Sequence, residues 1–178
     1  TGIKLAQSSL SGGLNNTGIV AGSSFALNID AISLLSGGIT IAGASATFVG
    51  ALGNAGLIQD GVNVNAGALA GGVYNTGTIG SGSVAGIYLA SNASLLSGLT
   101  NSGSIGGVAT GIKLAQSSLS GGLNNTGIVE GSNYALNIDA NSLLSGGITI
   151  AGASASLVGA LGNAGLIQDG VNVNAGAL

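Results

Sequence analysis

Residues 1–20, TGIKLAQSSLSGGLNNTGIV, return unchanged at 110–129. The likeness runs on: residues 1–69 align without a gap on 110–178, and the two stretches differ only at Ala21/Glu130, Ser24/Asn133, Phe25/Tyr134, Ile32/Asn141, Thr47/Ser156 and Phe48/Leu157. The unit is 109 residues long, so 1–109 is a first complete repeat and 110–178 a partial second, read as one continuous solenoid with no linker. A chain with no initiator Met that stops inside its second copy reads as a window on a longer repetitive protein.

A shorter phrase recurs inside the unit, as LNNTGIV at 14–20, ALGNAGLI at 51–58, VYNTGTI at 73–79 and LTNSGSI at 99–105, with a weaker ITIAGAS at 39–45. The marker glycines Gly18, Gly43, Gly56, Gly77, Gly103 and Gly127 are separated by 25, 13, 21, 26 and 24 residues, a period averaging about 22 with variable turns. A second phrase sets the facing: GIKLA, ALNID, GVNVN and GIYLA alternate with period 2, the mark of a strand with one buried side. Ile3, Leu5, Leu27, Ile29, Val62, Val64, Ile87 and Leu89 point inward in this reading, and Lys4, Asn28, Asn63 and Tyr88 outward. A third phrase, SLLSG or SSLSGG, follows a few residues later. Three short strands per coil, joined by Gly, Ser and Asn turns, make an all-β, right-handed parallel β-helix of about eight coils, roughly 40 Å long at one strand spacing per coil. The 109-residue unit then spans about five spacings, roughly 24 Å.

Stacking gives the small polar residues a purpose. Glycine serves corners with positive φ. Asparagine at one register passes amide hydrogen bonds from coil to coil, as in cross-β stacks, along a ladder of Asn16, Asn54, Asn75, Asn101, Asn125 and Asn163 that is broken where Ile41 and Ile150 take the place. A helical fold is excluded by 36 glycines in 178 residues, since each interior Gly costs a helix about 1 kcal/mol relative to Ala.

Composition removes several functions. Two lysines and no arginine cannot neutralise a phosphate backbone, so no nucleic acid is expected. Asn, Ser and Gly interrupt each apolar run well short of the roughly 18 residues of a spanning helix, so the window holds no transmembrane segment. Cys is absent, which excludes disulfides and thiolate metal sites. The acids Asp30, Asp60, Glu130, Asp139 and Asp169 are scattered, two pairs of them being repeat mates, and there is no His. Proton-transfer chemistry needs such groups clustered, so the chain is read as no enzyme, without catalytic residues, metal or cofactor. Asp60 with Asn63 and Asn65 offers too few carboxylates for a calcium cage. NNT at 15–17 and NAS at 92–94 match the glycosylation pattern by composition, GSGSVA at 80–85 has neither the helix nor the acid of a dinucleotide site, and Thr76 and Thr78 form only one Thr-x-Thr rank.

GLNNTGIV, LTNSGSIGG and VYNTGTIGSGSVAGIYLA resemble the N-x-G-x-I coils of bacterial autotransporter passengers and related giant repetitive adhesins, over the whole chain. The resemblance implies export from a Gram-negative bacterium and an extracellular or cell-surface location. The expected function is a structural segment of an extracellular fibre or stalk, partnered by further copies of itself along the axis. The alternative is an adhesin module that binds a glycan or a neighbouring cell through the outward column Lys4, Asn28, Asn63, Tyr88, Lys113, Asn137 and Asn172. Identity between copies at Lys4/Lys113, Asn28/Asn137 and Asn63/Asn172 favours the rod.

Overall fold

The computed structural model describes residues 1–69, 71–82 and 84–174. Ser83 of the GSGSVA stretch and residues 175–178 of the second repeat lie outside them. Among the described residues there are 25 strands and no helix, and the strands pair in parallel. The fold is a β-solenoid.

Following the registers coil by coil reveals four sides. One broad face stacks Ile3, Leu27, Leu52, Val73, Leu99, Leu123, Ile148 and Val171 in a column. The other stacks Leu14, Ile39, Val62, Ile87, Ile112, Leu136 and Leu161. Between the faces run two narrow edges of mostly two-residue strands. The first edge stacks Leu10, Leu35, Ile58, Ile79, Ile105, Val129 and Leu157, and the second carries Val20, Phe48, Leu95, Leu119, Leu144 and Ile167. Each coil therefore reads first face, first edge, second face, second edge. Strands Ile19–Ile29 and Ile128–Ile138 run round a corner from edge to face, with bulges between Ala21 and Phe25 and between Glu130 and Tyr134 that form arches.

The expected three strands per coil thus become four, and eight coils become about seven. The 168 residues from Ile3 to Val171 span seven coils, 24 per coil rather than 22, and individual coils range from 21 (Leu52 to Val73) to 26 (Val73 to Leu99). At one spacing per coil the stack is about 34 Å long. The reason is that GIKLA and LNNTG are not different sides of one coil. They are two spellings of the same half-coil: a three-residue face strand, a corner, and an edge strand.

The spelling fixes the corner. Where the third face residue is Asn (16, 54, 75, 101, 125, 163), the next inward edge residue follows four positions later, as Val20, Ile58, Ile79, Ile105, Val129 and Ile167. Where it is Leu, Ile or Val, the corner is looser: Leu5 to Leu10, Ile29 to Leu35 and Ile41 to Phe48 need five, six and seven. The 13-residue step between Gly43 and Gly56 is accordingly a single half-coil.

Counting half-coils shows what the long repeat does. Ile3 lies on the first face, while its repeat mate Ile112 lies on the second. The 109 residues make nine half-coils, or four and a half coils. Identical sequences in consecutive repeats therefore occupy opposite sides of the rod.

Inside, one continuous apolar core runs the length of the stack, from Leu5 and Leu27 through Phe48, Ile87 and Ile112 to Leu157. Period-2 alternation holds on the faces: Ile87 and Leu89 are buried and Tyr88 between them is half-buried. Burying each such Leu or Ile contributes about 1.5–3 kcal/mol, gathered only when a neighbouring coil covers it.

Glycine in the N-x-G corner turns out not to serve positive φ. Gly56, Gly77, Gly103 and Gly127 have ordinary φ. A Cβ at Gly103 would fall inside the carbonyl oxygen of Gly77, one at Gly77 inside that of Gly56, and one at Gly127 inside that of Gly103. What is required is the absence of a side chain above the preceding corner's backbone. Positive φ is needed elsewhere, in the turns entering a face strand, as at Gly98 (φ 83°).

Two pairs of variants check this account by chemical denaturation. Gly103→Ala should cost about 3 kcal/mol or more, whereas Gly18→Ala, in the same motif but with nothing within 4 Å of its Cβ position, should change stability by under about 0.5 kcal/mol. Ile87→Asn should cost several kcal/mol by burying an unpaired amide, against under about 1 kcal/mol for Tyr88→Asn.

Candidate functional site

Two sets of residues carry polar chemistry in register: the inward asparagines at the corners and the outward column on the faces. The tight corner places each Asn side chain over its own turn. In the first coil the Asn16 side chain brackets Gly18, with Nδ2 donating to the Gly18 carbonyl at 2.9 Å and Oδ1 accepting from the Gly18 N–H at 3.2 Å. Between coils the amide reaches further. Asn54 Nδ2 donates to Asn75 Oδ1 at 2.8 Å, Asn75 Nδ2 to Asn101 Oδ1 at 2.8 Å, and Asn101 Nδ2 to Asn125 Oδ1 at 2.7 Å. The same nitrogens donate to next-coil carbonyls, of Thr78 at 3.1 Å, Ser104 at 3.0 Å and Ile128 at 3.0 Å. Two amide hydrogens per rung are thus spent on crossing to the next coil. The contacts to the rung's own corner, 3.3 Å for Asn54 and Asn101 and 3.1 Å for Asn75, are longer than the bonds between amides.

The structure joins four of the six asparagines and separates two. Asn54, Asn75, Asn101 and Asn125 stack on the first face, and the run ends where Asn125 meets Ile150. Asn16 and Asn163 lie on the second face, beside Ile41 and Ile138. Parity explains the split: Asn16 is the repeat mate of the last rung, Asn125, and Asn163 that of the first, Asn54, so nine half-coils turn both to the other side. The first rung carries a cost. Asn54 is 2% exposed, its coil neighbour on the open side is Ile29, and its Oδ1 has no hydrogen-bond partner.

The outward column divides in the same way. Asn63, Tyr88, Lys113 and Asn137 are consecutive on the second face, whereas Lys4, Asn28 and Asn172 lie on the first. Each face therefore has its own column. The first continues through Tyr74, Thr100, Asn124 and Thr149, and the second includes Asn15 and Thr40. The alternating pattern could have found these residues once the N-x-G strands were recognised as face strands. Two outward positions are glycines, Gly53 and Gly162, because the arch of the preceding coil folds an aromatic ring over them: a Cβ at either would strike the ring of Phe25 or Tyr134.

Charges are local. Lys4 Nζ lies 3.2 Å from Asp30 Oδ2, and the repeat-mate pair Lys113–Asp139 is 3.4 Å apart. Asn28 and Asn137 donate to the same aspartates at 3.3 and 3.0 Å. Lys113 Nζ also stands 5.8 Å from the centre of the Tyr88 ring. Such half-exposed pairs are worth at most about 1 kcal/mol, so they order the surface more than they hold the fold. Among the described residues no three His, Cys, Asp or Glu side chains come together as a metal site. Comparison of the chain with family models, curated proteins and solved structures returned no match.

The ladder makes a sharp expectation. Asn101→Ala removes both halves of a rung and leaves Asn125 Oδ1 without its donor in the interior, while Asn75 Nδ2 keeps the carbonyls of Ser104 and Gly77; it should lower stability by about 2–3 kcal/mol. Asn163→Ala, at an exposed position, should cost under about 1 kcal/mol in the same urea titration.

Proposed function

We propose that the chain is a non-catalytic structural segment of an extracellular repetitive fibre or cell-surface stalk. The observation that carries this reading is the junction between repeats. Strands on either side of residue 109 pair without interruption: Ile87 with Ile112, Leu99 with Leu123 and Ser104 with Ile128. The Asn75–Asn101–Asn125 ladder passes through the junction unchanged. A repeat made of a whole number of half-coils can follow itself indefinitely with every corner still stacked, which is what a length-setting element requires. The extracellular and bacterial part of the reading is supported by the likeness to autotransporter and adhesin coils. Its partners are further copies along the axis.

A second reading, contact with a glycan or neighbouring cell, has support from the second face, where Asn63, Tyr88, Lys113 and Asn137 form an unbroken polar and aromatic column. Such a column suits a stalk that also adheres.

Arrays of two, three and four 109-residue units test the stalk. Scattering or electron microscopy should show a thin rod that lengthens by about 22 Å per unit, four and a half strand spacings in place of five. Compact particles whose length does not grow with repeat number would end this reading.

A further inference from the structure

The arch that begins at Glu130 borders a groove on the first edge. Along that edge the position after each inward residue is Gly80, Gly106, Glu130 and Val158 in successive coils, with Gly106 registered on Glu130 and Glu130 on Val158. Two glycines in a row leave a depression, and Glu130, Gly131 and Ser132 of the arch border it, giving an open groove of about 510 Å³. The carboxylate of Glu130 leans over the Gly106 floor, where a Cβ would lie 3.1 Å from Oε1. Thr78 and Ser104, in register on adjacent coils, line it, as do the exposed valines Val108 and Val158, Val158 in register with Glu130.

Three facts single this groove out. First, Glu130 is charged and exposed, and no ion pair reaches it among the described residues, unlike Asp30 and Asp139. Second, of the six positions at which the repeats differ, three fall within the five residues of the arch: Ala21/Glu130, Ser24/Asn133 and Phe25/Tyr134. The carboxylate is thus specific to the second copy. Third, the lining brings the hydroxyls of Thr78 and Ser104 and the exposed Val108 and Val158 together with the carboxylate, so a fitting ligand shows hydroxyl-bonding groups and an apolar C–H surface together with a positive charge.

We propose that this groove binds an amino-sugar unit of a polysaccharide, its ammonium group paired with Glu130, its hydroxyls with Thr78 and Ser104, and a C–H face of its ring against Val108 and Val158. The groove is distinct from the outward columns of the faces and does not depend on the number of repeats. A single exposed ion pair binds weakly, so this groove holds a short oligosaccharide loosely.

The test is an NMR titration of the 178-residue chain with the glucosamine tetramer. The expected result is saturable shifts centred on the amides of Thr78, Ser104, Val108 and Ser132, weakened about fivefold or more by Glu130→Gln and by raised salt, and unaffected by the control Asp169→Asn. The N-acetylated tetramer, which lacks the charge, should bind at least about fivefold more weakly. Glu130→Gln alters an exposed side chain, so an unchanged amide spectrum in the absence of sugar will show that the fold is intact. Shifts centred on Asp30, Asp60 or Asp139, equal binding by Glu130→Gln, equal binding of the N-acetylated sugar, or equal binding of a lysine tetramer would each overturn the proposal. Loss of rod growth in the repeat arrays would leave this groove untouched, and loss of sugar binding would leave the rod untouched.

Discussion

The contact on which the rest of the structure depends is the seating of one corner's backbone directly on the next. At Gly56, Gly77, Gly103 and Gly127 the chain passes so close above the preceding carbonyl that no side chain fits between. That closeness brings the asparagine at the start of each corner within 2.7–2.8 Å of its counterpart. It also holds the face strands in a register from which Ile, Leu and Val cannot slip without turning every inward side chain outward. The fold is therefore specified less by any single coil than by the fit between coils. A chain with 4% charged residues can remain ordered on these terms, because its polar groups are used vertically.

Some of this was legible in the sequence and some was not, for reasons that lie in particular residues. The facing of Ile87, Tyr88 and Leu89 follows from alternation alone. The number of sides does not, because edge strands such as Thr78–Ile79 and Leu57–Ile58 are two residues long and two residues cannot display a period. The grouping of the asparagines failed for a related reason. Whether Asn16 shares a face with Asn54 depends on the parity of the half-coils between them, and that count is hidden by corners of four to seven residues. The outward column broke at the same place. Glycine was assigned the wrong task at N-x-G, since a sequence shows that a side chain is missing but not whether backbone torsion or a neighbour forbids it. The groove at Glu130 could not be read at all, as it exists only because Gly80, Gly106 and Glu130 come from three different coils.

The ladder itself has direction. Each rung after the first accepts at Oδ1 from the coil before and donates through Nδ2 to the coil after, and the run begins with an idle acceptor, Asn54 Oδ1. A buried, unpaired carbonyl oxygen costs on the order of 1–3 kcal/mol, so long runs are more economical than short ones. Four rungs spread one such cost over three inter-amide bonds. The rungs also sit at the tightest corners, where the bond from Nδ2 to the corner's glycine carbonyl takes the place of the extra residues at Leu5 or Ile41.

Nine is an odd number, and that has a consequence for how such a chain can change its length. Near-identical tandem copies invite unequal exchange, in which one whole unit is lost or gained. The hydrogen bonding heals at once, because any corner can sit on any other at the splice. Everything beyond the splice, however, is rotated by half a turn about the long axis, so a surface that faced one way now faces the opposite way. A change of two units restores the original facing. Length variants of this protein thus fall into two orientation classes, even and odd, that share the same junctions between repeats and differ in which side their far end presents.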